Sequence, residues 1–298
     1  MINFKPIELS DRVWMTQKMR EDNRRGCEFS FANNFIWSTI YTVEVAEVAD
    51  CCIIKFDADG MDCYAFPIGA GDKVKAIEAL LEHANTDRAV LRLESILAED
   101  KAFLEEHFPN RFTIEEDRDG FDYIYTVEKL TKLAGKKLHG KRNHIARFKD
   151  NEGWSYEPMT EENKQECYDM NLKWCDRKSC QWNNDMSDEQ CALHKAILNY
   201  TELGLEGGVL RINGAIVAFS IGERLNSDTY VVHFEKAFPD IQGAYPMINQ
   251  QFVEHNCQNY EYVNREDDTG AEGLRKAKLS YYPDILLEKY TASAKVSS

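Results

Sequence analysis

Absences narrow this sequence first. It contains no run of about 18 apolar residues, so no helix is expected to cross a bilayer. Its nine cysteines include no CxxC pair, are odd in number and follow no signal peptide. Disulfides are therefore not expected, and a reducing cytoplasm is the expected compartment. Cys167, Cys175, Cys180 and Cys191 cluster at spacings of 8, 5 and 11 residues, which suit no tetrahedral zinc site; small buried side chains and no metal are expected there. There is no Ser-His-Asp elbow, no paired-carboxylate hydrolase signature, no Walker loop and no GxGxxG fingerprint, so the commonest hydrolase, nucleotide and dinucleotide chemistries lack a foothold.

What is present is ordinary globular composition, 43% hydrophobic with 11% aromatic residues. At 298 residues the chain is long for one core and suggests two domains. The 36 Lys+Arg against 51 Asp+Glu give a net charge of −15, which argues against a nonspecific nucleic-acid coat. Yet residues 129 to 149 hold eight Lys/Arg and no acid, so positive charge is strongly local.

The hydrophobic pattern starts with a helical segment around Trp14, Met15, Met19, Phe31, Phe35 and Ile36. A hairpin follows, with a turn at Asp57-Ala58-Asp59-Gly60, and then an α-β-α-β run ending in the strand FDYIYTV. The second half repeats this plan. Ser187-Asp-Glu-Gln190 reads as a capping box, Gly204 as a helix stop, and Asn213-Gly214 as the clearest hairpin turn. From 154 to 292 the expected order is β-α-α-β-β-β-α-β-α-β, with ILLEKYT as the last strand. This α+β order resembles the Gcn5-related N-acetyltransferase (GNAT) fold, and its recurrence suggests a tandem pair: domains at 1–128 and 151–298, joined by a basic connector helix at 129–150.

Three blocks carry a sharper resemblance: FDYIYTVEKLTKLAGKKLHGKRNHIARF (121–148), AFSIGERLNSDTYVVHFEKAFPDIQGAYPMINQQF (218–252) and YVNREDDTGAEGLRKAKLSYYP (262–283). They are similar to the hallmark blocks of the phosphatidylglycerol lysyltransferase C-terminal domain family. That resemblance implies a tandem acyltransferase fold and transfer of an acyl or aminoacyl group. The lipid enzymes of the family carry a membrane portion that this sequence lacks, which leaves the acceptor open and peripheral membrane contact open.

Three readings follow. The first is aminoacyl transfer from aminoacyl-tRNA to an amine or hydroxyl; the second is acyl-CoA-dependent N-acetylation; the third is non-catalytic binding of a nucleotide or RNA. All three need a grip on phosphate, for which Lys136, Lys137, Lys141, Arg142 and Asn143 in the basic stretch are candidates. Gln242, Gly243 and Ala244 stand where acetyltransferases of this fold cradle a pyrophosphate, but Tyr245 and Met247 put bulk where small residues belong.

Glu235, at the end of a strand, is a candidate base, and alternation puts it on the face opposite Lys236. Lys236, Arg275 and Lys278 are candidates for stabilising an oxyanion. Tyr281 resembles the tyrosine general acid of such acetyltransferases. Thr269-Gly-Ala-Glu272 fits a capping box, which leaves Asn264, Arg265, Glu266, Asp267, Arg275, Lys276 and Lys278 as the polar and charged remainder of the third block. Arg275 sits at the end of a helix where cations are disfavoured, so an anion is expected beside it, either a neighbouring acid or a ligand phosphate.

Overall fold

The computed structural model describes residues 1–58, 60–86, 88–177 and 184–295, with backbone alone at 176–177 and 184–187. Asp59 of the first hairpin, Cys180 of the cysteine cluster and the Ser187 side chain lie outside the described residues. The chain divides into two compact units: Met1–Asp122 with Asp267–Lys276 and Leu286–Ser298, and Tyr123–Glu266 with Ala277–Ile285.

In the first unit, helices α1 (Arg12–Asp22) and α2 (Phe31–Tyr41) precede a meander of β2 (Glu44–Val48), β3 (Cys51–Ala58) and β4 (Met61–Ala65), with the short β1 (Lys5–Pro6) at its edge. Ser30 caps α2 by accepting from the Asn33 N–H. The β3–β4 turn works as its residues suggest: Gly60 takes φ +79 and donates its N–H to Asp57 Oδ1 at 2.9 Å. Helix α3 (Lys73–Thr86) then crosses to β5 (Arg92–Ile96), which pairs parallel to β4, and α4 (Ala98–His107) leads to β6 (Phe112–Glu116). Ile53, Ile77, Leu80, Leu93 and Leu104 close the core. Each such side chain stabilises the fold by about 1.5–3 kcal/mol relative to exposure.

One strand departs from expectation. ILLEKYT is not a single strand: its beginning is β13 (Ile285–Leu287), in the second sheet, whereas β14 (Tyr290–Ala294) lies in the first sheet between β5 and β6, antiparallel to both. Between them Lys289 is fully buried, its ammonium 2.7 Å from Asp122 Oδ1 and 2.5 Å from Glu28 Oε1. That ammonium neutralises the cluster in which Cys27, Asp122 and Asp267 approach one another.

The second unit begins at Tyr123, within β7 (Asp122–Thr126), which closes nothing in the first sheet but pairs antiparallel with β12 (Tyr262–Asn264). The basic stretch follows as two helices, α5 (Val127–Lys132) and α6 (His139–Lys149), parted by Leu133 at φ 46 and Gly135 at φ 85. Strand β8 (Trp154–Pro158) and helices α7 (Lys164–Arg177), α8 (Asn184–Leu198) and α9 (Tyr200–Leu203) come next. Ser187 falls inside α8, so it does not start that helix, while Gly204 ends α9 in the left-handed region as expected.

Strands β9 (Glu206–Ile212), β10 (Ala215–Arg224) and β11 (Thr229–Ala237) form the meander, and Asn213 and Gly214 turn the first hairpin at φ 49 and 83. Helix α10 (Ala244–Asn256) crosses to β12, which is parallel to β11, and α11 (Glu272–Leu279) precedes β13. Meander, crossover helix and parallel strand thus occur in both sheets, the arrangement of a tandem GNAT-like α+β fold. In each sheet the strand beside the parallel pair comes from the other half of the sequence: β14 in the first, β7 in the second.

Candidate active site

The end of β11 organises the second unit. The register of β10 against β11 runs from Ile221↔Phe234 to Gly222↔Val232 and skips His233, a bulge that re-aims the side chains around it. Glu235 and Lys236 then leave on opposite faces. Lys236 is buried with its ammonium 2.7 Å from Glu189 Oε2 and 4.3 Å above the Trp174 ring. Glu235 turns toward α10: Oε2 accepts from Asn249 Nδ2 at 2.9 Å and Oε1 accepts from Arg265 Nη2 at 2.8 Å. Both side chains of the Glu235–Arg265 pair are 12% exposed, so their attraction is little screened.

Arg265 lies over Tyr281, 4.9 Å from the ring centre, and over Tyr125 at 5.7 Å. Lys141, reaching in from α6, sits on the same Tyr281 ring at 4.0 Å. Among the described residues no acid forms an ion pair with Lys141. Burial, then the charge of Arg265, lowers its pKa to about 8, against a smaller opposing pull from Glu235. Burial also pushes the Tyr281 phenol well above the ordinary range; Arg265 works against that shift and Glu235 with it. The phenol is therefore neutral and keeps its proton. Of the two cations over the ring, Arg265 is the one paired with a carboxylate, that of Glu235.

Beside it, His233 is buried between two carboxylates: Nδ1 lies 2.8 Å from Glu266 Oε1 and Nε2 3.2 Å from Glu223 Oε1. Burial alone would discharge the ring, but the two hydrogen bonds prevail and its pKa rises to about 9. Both nitrogens then donate. Glu266 adopts φ 58, so this imidazolium holds a left-handed residue directly after Arg265.

The other residues singled out from sequence have structural partners of several kinds. Asn264 is fully buried and its Oδ1 accepts from the Glu266 N–H at 2.6 Å. Lys278 donates to the Arg265 carbonyl at 2.7 Å, and Tyr125 donates to the Lys278 carbonyl at 2.7 Å. Arg142 closes the turn before α6 by donating to the carbonyls of Leu133 and Gly135. Asn143 Nδ2 lies 3.1 Å from His139 Nε2. Lys136 and Lys137 are exposed, the latter 5.1 Å from the Tyr282 ring centre. Gln242 is exposed and Ala244 buried. Gly243 has a packing reason to be glycine: at φ 81, a Cβ there would collide with the His144 carbonyl of α6.

Asp267, Arg275 and Lys276 belong to the first unit. Arg275 meets neighbouring acids: it donates to both oxygens of fully buried Asp268, at 2.8 and 2.7 Å, and to Asp119 at 2.6 Å. The capping box expected at Thr269 is replaced by the two aspartates, whose Oδ1 atoms accept from the Thr269 and Gly270 N–H groups, each at 3.0 Å. Thr269 itself has φ 48. Lys276 is exposed.

Two polar residues of the cluster escaped sequence reasoning. Asn249 is 1% exposed among the apolar core positions of α10, and Ser220 is fully buried in β10. The available signal was a polar residue at an apolar-phase position in each element.

The comparisons concern family and fold. Residues 20–293 match the family described as phosphatidylglycerol lysyltransferase, C-terminal. The chain belongs to that family. A conserved protein of unknown function from Bacteroides thetaiotaomicron VPI-5482 is 41% identical, with a TM-score of 0.95 over 99% of this chain and 100% of that one. The C-terminal domain of a putative lysylphosphatidylglycerol synthetase from Agrobacterium fabrum shares the fold at 14% identity, with a TM-score of 0.66 over 97% and 92% of the two chains. An uncharacterized Mycoplasmoides gallisepticum protein, MYCGA3080, is 24% identical over 177 residues, 57% of this chain and 54% of its own length, so the match spans about half of that relative. The structure of L-PGS from Bacillus licheniformis shares the fold at 16% identity, with a TM-score of 0.62 over 90% and 93% of the two chains. Among the described residues no helix is long and apolar enough to cross a membrane.

Proposed function

We propose that the second unit transfers an aminoacyl group from aminoacyl-tRNA to an amine or hydroxyl acceptor. The observation that supports this reading best is Lys141, a half-buried ammonium with no acid paired to it among the described residues, set beside Arg265 over a neutral tyrosine. An aminoacyl ester is already activated, so its transfer needs positioning and a receptor for the oxyanion more than strong acid or base chemistry.

The acceptor nitrogen or oxygen attacks the ester carbonyl carbon, and the carbonyl π electrons move onto oxygen, facing Lys141 and Arg265. Glu235 takes the proton that the acceptor loses. Collapse of the intermediate expels the ribose oxygen, which takes the Tyr281 proton, and the proton held by Glu235 later restores the phenol. Lys136, Lys137 and Asn143 on the exposed side of the basic stretch are the proposed grip on donor phosphates. Gly243 is accounted for by the close pass of α6, which removes the main support for a CoA pyrophosphate cradle.

The test is transfer of a radiolabelled amino acid from charged tRNA to low-molecular-weight amines, with wild type and Lys141→Met compared. Transfer by wild type and its loss in the variant are expected. Thermal stabilisation by acetyl-CoA together with acetyl transfer, and no aminoacyl transfer, would overturn the reading.

A further inference from the structure

Around Glu235, three buried polar atoms have no hydrogen-bond partner among the described residues: Ser220 Oγ, Asn249 Oδ1 and Arg265 Nη1. They are neighbours by construction. Ser220 is directly opposite Glu235 across the β10–β11 ladder, so the two side chains leave the sheet on one face. Asn249 and Arg265 each donate to a separate oxygen of the Glu235 carboxylate. The bond from Asn249 Nδ2 also fixes which way its amide points, so Oδ1 is the atom left over.

Folded proteins rarely leave buried polar atoms unpaired, and three around one carboxylate call for a bonding partner. The atoms differ in kind. Asn249 Oδ1 only accepts, Arg265 Nη1 only donates, and the Ser220 hydroxyl does either. A phosphate or a carboxylate alone has no proton for Asn249, and an amine alone has no acceptor for Arg265. Next to a carboxylate the donor is best a cation; between Arg265 and Lys141 the acceptor is best a carbonyl or carboxylate oxygen. An ammonium and a carbonyl on adjacent carbons satisfy every atom.

We propose that Ser220, Asn249 and Arg265 form a binding site for the head of an α-amino acid, ammonium toward Asn249 and Ser220, carbonyl oxygen toward Arg265. This rests on the aminoacyl-transfer reading and adds to it that the free α-ammonium, whatever the side chain, is what the site reads.

The experiment is isothermal titration of the full chain with three probes: L-alaninamide, which is little more than the head; N-acetyl-L-alaninamide, which lacks the ammonium; and propionamide, which lacks the α-nitrogen altogether. Alaninamide is expected to bind at least about tenfold more tightly than either of the others, the loss of a charge-assisted hydrogen bond. Ser220→Ala is the decisive variant, because removing an unpartnered hydroxyl leaves the apo melting temperature unchanged or higher while weakening alaninamide binding about threefold or more. Asn249→Leu checks the acceptor in the same assay.

Equal affinity for the three amides, or a Ser220→Ala protein that binds as wild type does, overturns the site. The two readings fail separately. Alaninamide binding without transfer from charged tRNA removes the donor assignment and keeps the site; transfer that proceeds without alaninamide binding, and at the wild-type rate in Ser220→Ala, keeps the reaction and removes the site.

Discussion

Lys141 Nζ stands 4.0 Å from the centre of the Tyr281 ring, on an aromatic surface that Arg265 also covers. An ammonium so placed, repelled by a guanidinium and partly shielded from water, is worth most when a negative charge arrives. Replacing it with methionine keeps the volume and removes the charge. Lys141→Met is expected to lower kcat for aminoacyl transfer about 100-fold, the scale of one lost oxyanion donor. Urea denaturation should show stability unchanged or increased.

The pH dependence of Lys141 has a definite sign. Its folded pKa, about 8, lies below the ordinary lysine value. Between pH 8 and the ordinary value the unfolded chain binds more protons, so this group makes stability rise with pH in that window, and the rise is absent in Lys141→Met. Activity runs the other way, because the ammonium is the working form: kcat should fall as pH passes upward through about 8. A rate that stays flat from pH 7 to 9 would remove Lys141 from the reaction.

His233 has the opposite linkage. Its folded pKa of about 9 exceeds the ordinary histidine value, so its contribution is fully present below the ordinary value and is lost as pH rises through about 9. Urea melts at pH 6 and pH 9.5 should therefore converge in His233→Gln relative to wild type. The variant should also lower kcat, since the imidazolium fixes Glu266 and with it the aim of Arg265.

Glu235→Ala leaves Arg265 buried without its carboxylate and is expected to cost about 3 kcal/mol in urea denaturation. Glu235→Gln retains an acceptor and should cost less, yet should be as inactive in transfer. If the Gln variant transfers at the wild-type rate, Glu235 is a scaffold for Arg265 and Asn249 and takes no proton.

Arg275→Ala is expected to lower the melting temperature and leave transfer intact, because its partners are Asp268 and Asp119 in the first unit. Asp268→Asn should lower it too. A loss of transfer at full stability would show that the guanidinium serves a ligand.

Much of this was legible in the residues. Glu235, Arg265, Lys141 and Tyr281 stand out as charge or phenol inside strongly patterned blocks, and the fold brings these four together. The order of meander, crossover helix and parallel strand follows from Asn213-Gly214 and from helical periodicity. Asn249 and Ser220 were hidden because patterning assigns their positions to the core, and their common neighbour, Glu235, is defined only by tertiary packing. Thr269 misled because a capping-box spacing also suits a turn in which Asp267 and Asp268 do the capping. The destination of Tyr290–Ala294 was unreadable for a different reason: alternation marks a strand but carries no address for its sheet.

That address governs the order in which the molecule can be built. During synthesis β5 and β6 emerge with a gap between them, and the strand that fills it is made only after more than half of the chain has followed. The first sheet therefore cannot finish folding as it leaves the ribosome. Until β14 is made, β5 and β6 lack the strand that joins them; once made, it pairs with both, and Lys289 just ahead of it reaches Asp122 and Glu28.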